Sequence, residues 1–278
     1  MLRRLSTNVV DVFDGAVYRR LLGDPAEPLL LSVEQPAADT LAVRLEGPGA
    51  ADRDPAAIVR RALGTGVDLN AFYAGAATIP WLHAIAAAAV GVRPPCYPTV
   101  WEAVCNAVVY QQVSIHAAGA ILRRVIERYA RPVETHGVRL FPFPVPRTLL
   151  DADPVELRAL GLSVNKINAL KEVGAAVEAG ALDETALAAL PTAQLLEALV
   201  AHKGIGPWTA AVVALRGFGR LDVFPMNDSG VAKALRTYTG DPETRAEPII
   251  DALRPQQGML YYHLLLGRLN ATGEISLG

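Results

Sequence analysis

Apolar positions along this chain follow two rhythms. Residues 29–33 (Leu-Leu-Leu-Ser-Val) and 41–45 (Leu-Ala-Val-Arg-Leu) are short runs rich in branched side chains, with polar turn residues between them. That pattern predicts strands. Residues 56–63 then carry a helical spacing, so the first 75 residues read as a small α+β unit with an antiparallel sheet. A proline-rich linker over 93–99 ends this regime, and its last residue, Thr99, suits a helix N-cap. From there apolar residues recur at helical spacing, which predicts helices over 100–109, 114–129, 155–160, 164–177, 185–190, 193–202, 207–217, 229–238 and 259–269. Phe-Pro-Phe-Pro-Val-Pro at 141–146 interrupts the series and reads as a loop. The expected architecture is an α+β N-terminal domain over residues 1–75 followed by a larger all-α domain over 76–278.

Composition narrows the chemistry. The chain has 278 residues, 51% of them hydrophobic, enough for a sizeable core. No window offers the roughly 18 uninterrupted apolar residues of a membrane span, and Met1 to Leu5 carries arginines with no apolar run behind it, so neither a membrane anchor nor a signal peptide is expected. Cys96 and Cys105 are too few for an iron–sulfur cluster, a cysteine zinc site or a disulfide framework, and point to a reducing cytosol. With 26 basic against 28 acidic residues, any contact with a polyanion must use a local device instead of bulk charge.

Such a device is present at Lys203-Gly204-Ile205-Gly206-Pro207-Trp208-Thr209-Ala210. One helix ends near His202. Two glycines frame a tight turn that both are expected to make through backbone conformations closed to other residues. Ile205 between them can plug the groove between two helices, and Pro207 suits the first position of the next helix. Free N–H groups at that helix start bind an anion such as a phosphate without net positive charge. The plainer alternative is an ordinary helix–helix corner with a glycine C-cap. Further on, Asp228 precedes a fresh helix. It is either simply an N-cap or a carboxylate facing a cleft, where it could stabilise a developing cation or activate water.

These segments together carry a resemblance. The hairpin Gly-Ile-Gly-Pro-Trp-Thr-Ala at 204–210, Ala-Leu-Arg-Gly at 214–217, Asp-Val-Phe at 222–224 and Asp228 are similar to the helix-hairpin-helix DNA glycosylases, most of all the 3-methyladenine DNA glycosylase II type. Residues 104–118, with Gln111-Gln112 between two helices, and Gly161-Leu162-Ser163 with Lys166 resemble further family segments. Asp68 to Tyr73 and Arg93-Pro94-Pro95 match the extra α+β domain of that subtype.

The resemblance implies that Asp228 is the catalytic carboxylate and that Gly204, Ile205 and Gly206, with Lys203 beside them, contact a DNA phosphate. It implies a monovalent cation, Na+ or K+, on the backbone carbonyls of Val200, His202 and Ile205, and no required cofactor. Gln112 falls where the family places the residue that fills the gap left by a flipped base. Trp208 matches a base-pocket aromatic. Relatives that also cut the strand have a lysine there, so Trp208 implies hydrolysis alone. The chain departs from the family pattern at Val212, Lys203, Gln256 and Gln257. Tyr261 and Tyr262 either supply substitute ring faces to the pocket or belong to the core, and the two glutamines could add polar groups there. The implied partner is damaged double-stranded DNA, met by a monomer in the cytoplasm, on the nucleoid in a bacterium.

The chemistry converges on the same class. Without a second acid, the base must leave unaided, as purines alkylated at N3 or N7 do because they carry positive charge. Such cations also stack on electron-rich rings like Trp208. The expected function is a monofunctional glycosylase that flips out and removes alkylated purines of the 3-methyladenine and 7-methylguanine class. The alternatives are a glycosylase for deaminated or oxidised bases and a non-catalytic DNA-binding module, which would need no Asp228.

Overall fold

The computed structural model describes residues 8–275, so the basic N-terminal stretch Met1 to Leu5 lies outside the described residues. Strands β1 (Asp11–Phe13), β2 (Val17–Leu22), β3 (Leu29–Ala37) and β4 (Thr40–Glu46) form an antiparallel meander in sequence order. Helix α1 (Pro55–Leu63) starts at Asp54, whose side chain caps Ala56 N–H, and buries Val59 and Leu63 against Tyr18, Leu31 and Val33 of the sheet.

The remaining helices are α2 (Asn70–Ala76), α3 (Pro80–Ala88), α4 (Val100–Tyr110), α5 (Ile115–Tyr129), α6 (Pro146–Asp151), α7 (Pro154–Ala159) and α8 (Val164–Glu178). They continue as α9 (Glu184–Ala189), α10 (Thr192–Val200), α11 (Pro207–Gly217), α12 (Ser229–Thr239), α13 (Glu247–Ala252) and α14 (Gly258–Ala271). Two cores result. One packs α4, α5, α8, α10 and α11 through residues such as Val104, Leu170, Leu195, Leu199 and Val213. The other packs α2 and α3 against α12 to α14 through Phe72, Leu82, Leu235, Leu253 and Met259.

The second core corrects the expected division after residue 75, which falls inside α2. Leu69, Phe72 and Ala76 bury against the C-terminal helices, so α2 belongs with them and the sheet unit ends with α1. The helical part is also not free of strands: β5 (Val133–Thr135) and β6 (Val138–Leu140) form a short hairpin. Its Leu140, Val133 and Val138 cover Leu21 and Leu30 on the sheet.

The sheet unit is pinned to the helices by a buried ionic cluster. Arg20 on β2 donates to Asp11 Oδ1 on β1 at 2.8 Å and to the Glu102 carboxylate on α4, and the Tyr18 hydroxyl donates to Asp11. Arg20 and Glu102 are 3% and 4% exposed, so this is an interior ion pair and not a surface one. Burial pushes the Glu102 carboxyl up and Arg20 pulls it back, and the pairing keeps Arg20 well above its ordinary value despite its own burial. The sheet thereby grips α4, the helix whose last residue opens the functional cleft.

Candidate nucleic-acid interface and active site

The hairpin joins α10 to α11. Gly204 has φ +93°, and a Cβ there would fall 2.2 Å from Ala169 Cβ and 2.9 Å from its Cα on α8. Only glycine fits, for both backbone and packing reasons. Gly206 differs from the expectation: its φ is −85° and ψ 175°, an extended N-cap that any residue adopts, with no atom within 4 Å of an added Cβ. Its lack of a side chain instead leaves the start of α11 bare. Ile205 is buried in the first core and fixes the turn from inside, while Lys203 stands in solvent. Gly204→Ala is expected to cost about 1–3 kcal/mol of stability and to weaken affinity for damaged and undamaged duplex alike. Gly206→Ala is expected to leave the melting temperature within about a degree, because a surface change without strain has a small effect. Thermal melts and gel-shift titrations check both.

The loop between α4 and α5 reaches the same hairpin. Gln111 donates from Nε2 to Thr209 Oγ1 at 2.7 Å and to the Gly204 carbonyl at 3.4 Å. Lys166 holds the last turn of α4 from behind, donating from Nζ to the Val109 carbonyl at 2.8 Å, the favourable end of that helix for a cation. Gln112 is exposed with φ +56°, carried outward by this braced turn. Ser114 then caps α5 by accepting Ala117 N–H.

Asp228 opens α12 and uses both oxygens. Oδ1 accepts the N–H groups of Gly230 (2.8 Å) and Val231 (3.0 Å), and Oδ2 accepts Trp208 Nε1–H at 2.9 Å. The capping and cleft-facing readings of Asp228 are therefore compatible. The cap fixes the carboxylate's orientation, and its half-buried position leaves it on the cleft wall. Trp208 is not sealed in the core. It packs on the first core from one side and lines the cleft from the other.

A cleft of about 980 Å³ runs between the two helical groups, with Gln112, Gly206, Trp208 and Asp228 on its walls. Lys233, Arg236 and Arg268 line it too, a cationic rim that the sequence reading missed. Their spacing on α12 (233 and 236) puts the first two on one face, a signal available in the sequence. Behind Trp208 a deeper cavity of about 310 Å³ opens toward the sheet unit. Tyr110, Ile115, Trp208, Tyr261 and Leu265 line both volumes, so cavity and cleft lie on either side of these side chains. Its walls are mainly aromatic and aliphatic, as suits a small flat ligand. Burial, then the Asp228 charge, pushes the Tyr261 hydroxyl up to about 12, so it stays a neutral donor.

Three expectations about the pocket are corrected here. Tyr262 is a core residue, 5% exposed, with its hydroxyl on the Pro95 carbonyl at 3.3 Å. Tyr261, one residue earlier on α14, takes the cleft-facing position that the helical period denies its neighbour. Gln256 accepts Phe72 N–H and donates to the Asp68 carbonyl, and Gln257 donates to the Asp222 carbonyl. Neither lines the cleft or the cavity; both fasten loops. Of the departures noted in the sequence, Val212 lines the cavity.

The carbonyls of Val200, His202 and Ile205 lie around the hairpin, and that of His202 already accepts Ile205 N–H at 3.1 Å. No cluster of three or more His, Cys, Asp or Glu side chains suits a metal among the described residues. No helix of the described residues is long and apolar enough to cross a membrane.

Comparison with known proteins places this geometry. Residues 105–254 match the model for the HhH-GPD superfamily base excision DNA repair protein, a span that includes α5 to α12, the hairpin and Asp228. The chain is 33% identical over 257 residues to the probable bifunctional transcriptional activator/DNA repair enzyme AlkA of Mycobacterium tuberculosis, covering 91% of this chain and 50% of that protein. It is 33% identical over 149 residues to DNA-3-methyladenine glycosylase 2 of Escherichia coli, covering 53% and 51%. The chain thus spans about half the length of the curated relatives it matches. The fold is shared with the 3-methyladenine DNA-glycosylase from Archaeoglobus fulgidus, with TM-score 0.79 at 23% identity over 97% of this chain and 92% of that one. It is also shared with a Clostridium acetobutylicum 8-oxoguanine glycosylase/lyase in complex with double-stranded DNA, at TM-score 0.71 and 15% identity over 97% and 90%. A hairpin with a bare helix start, a capped carboxylate across a cationic cleft and a family model spanning both have one common meaning: the chain belongs to the HhH-GPD superfamily of base excision DNA repair proteins.

Proposed function

We propose that the protein is a monofunctional DNA glycosylase that removes alkylated purines from double-stranded DNA. The observation that carries this reading is the pair Asp228–Trp208: a carboxylate held by three N–H donors on the wall of the cleft that also holds the hairpin's Gly206, bonded to a ring that lines both cleft and cavity. The Escherichia coli relative is named for 3-methyladenine, which supports the same class.

The hairpin residues Gly204, Ile205 and Gly206, with Lys203, hold one phosphate, and Lys233, Arg236 and Arg268 hold the strand along the cleft. Gln112 enters the duplex where the base departs. Its side-chain amide suits hydrogen bonding to the orphaned base better than wedging. The flipped base passes Trp208 and Tyr261 into the cavity. As the C1′–N bond breaks, its electron pair leaves with the base and positive charge grows on the sugar, where Asp228 stabilises it. Water then adds to C1′ and gives its proton to Asp228 or to solvent. A cationic alkylpurine departs as a neutral molecule and needs no acid to assist it.

A monovalent cation on the carbonyls of Val200, His202 and Ile205 would add positive charge beneath the same phosphate. The fit rests on carbonyls alone, since each has a second lone pair even when one is used within the turn. The protein acts as a monomer in the cytoplasm, on the nucleoid in a bacterial cell.

The position that would need a lysine for strand cleavage holds Trp208, which has no amine to attack C1′. Incubated with a duplex carrying 7-methylguanine, the enzyme is expected to release the base and leave the strand intact until alkali is added. Borohydride is expected to trap no adduct. A trapped complex, especially one lost in Lys203→Ala, would refute hydrolysis as the sole reaction.

A further inference from the structure

Trp208, Val212 and Arg216 follow one another at helical spacing on α11, and all three line the cavity. Arg216 is the charged member of the three and is half-buried. Its guanidinium carbon lies 4.7 Å from the centroid of the Tyr97 ring, and its Nε is shut off from solvent with no hydrogen-bond partner. No carboxylate among the described residues pairs with it, and the nearby Glu102 is engaged by Arg20. Burial works against its charge, yet an arginine stays protonated throughout the physiological range. A charged guanidinium whose Nε is shut off from water and unpartnered gains from a ligand that enters to accept its N–H groups.

We propose that Arg216 is a specificity-determining residue that donates hydrogen bonds to the acceptor edge of the base held in the cavity, and so favours purines with a carbonyl at C6 over those with an amino group there. This rests on the base entering the cavity behind Trp208. A guanidinium matches the O6 of a guanine-type base, whereas the amino edge of an adenine-type base meets it donor to donor. A fixed positive charge at that edge also draws electron density toward the departing base. The carbonyl edge gains from this most, because its oxygen carries that density. The preference is separate from lability at the glycosidic bond, since 7-methylguanine and 7-methyladenine carry the same charge and leave from the same nitrogen.

DNA treated with dimethyl sulfate contains both bases in one substrate, so their release ratio is an internal measure. Arg216→Met is expected to lower the rate ratio of 7-methylguanine to 7-methyladenine by about tenfold or more, the scale of one hydrogen bond to a charged donor. Arg216→Lys keeps the charge without the planar fork. It is expected to lower the ratio by a smaller factor, and it stands in if Arg216→Met does not fold. A folded variant with an unchanged ratio, including one that loses both activities equally, overturns the proposal and makes Arg216 a structural partner of Tyr97. Failure of the wild type to release any alkylated base would instead refute the glycosylase reading itself.

Discussion

Asp228→Asn is expected to bind lesion-containing duplex nearly as well as the wild type while losing on the order of 10²–10³ in single-turnover excision, the scale seen when one preorganised electrostatic group is removed. The structure explains why the two readouts separate. Asparagine is as good an N-cap as aspartate, so its oxygen can still accept the N–H groups of Gly230 and Val231, and α12 keeps its start. Its amide nitrogen would then face Trp208 Nε1–H, donor against donor, where a carboxylate oxygen now accepts at 2.9 Å. The negative charge is lost in full, and charge matters most when the sugar turns cationic. Near-normal excision by this variant would remove Asp228 from the chemistry and leave it a cap.

Arg20→Met should produce the largest loss of stability of any single change in the sheet unit, about 3–5 kcal/mol, because it strands a buried carboxylate. Glu102 is 4% exposed and its ion-pair partner is Arg20. Adding Glu102→Gln to the variant should recover part of the loss, since a neutral amide is far cheaper to bury than an unpaired charge. Chemical denaturation of the two variants reads both effects. A loss below about 1 kcal/mol for Arg20→Met, the scale of an exposed pair, would mean that the cluster does not hold the sheet to α4.

Much of the architecture was legible because helical spacing repeats over long windows. The predicted 207–217 coincides with α11, and 100–109 and 114–129 differ from α4 and α5 by one residue at an end. What escaped was short or paired by tertiary contacts. Strand β2 reads Val-Tyr-Arg-Arg-Leu-Leu, and its inward Arg20 breaks the apolar alternation that marks a strand, because its charge is met by Asp11 and Glu102 from elsewhere in the chain. The three-residue strands β5 and β6 are too short to carry a period. At the site, the features that backbone chemistry constrains were the readable ones: the positive φ of Gly204 and the helix cap made by Asp228. Side-chain direction was harder: Tyr261 and Tyr262 are adjacent, and only packing against Pro95 decides which one faces inward. Arg216 falls third in a 208, 212, 216 stripe, but nothing in the sequence says that its Nε is shut off from solvent without a hydrogen-bond partner while the guanidinium lies over Tyr97.

In the proposed mechanism one fixed carboxylate suffices because the base leaves as a cation's neutral product. Single-turnover excision of 7-methylguanine and of hypoxanthine from otherwise identical duplexes tests it most directly, since both present a carbonyl at C6 and only the first is cationic. Faster release of 7-methylguanine, with hypoxanthine released slowly or not at all, is the predicted result. Release of hypoxanthine at the higher rate would contradict it, because a neutral base leaves quickly only when the protein supplies an acid to help it go.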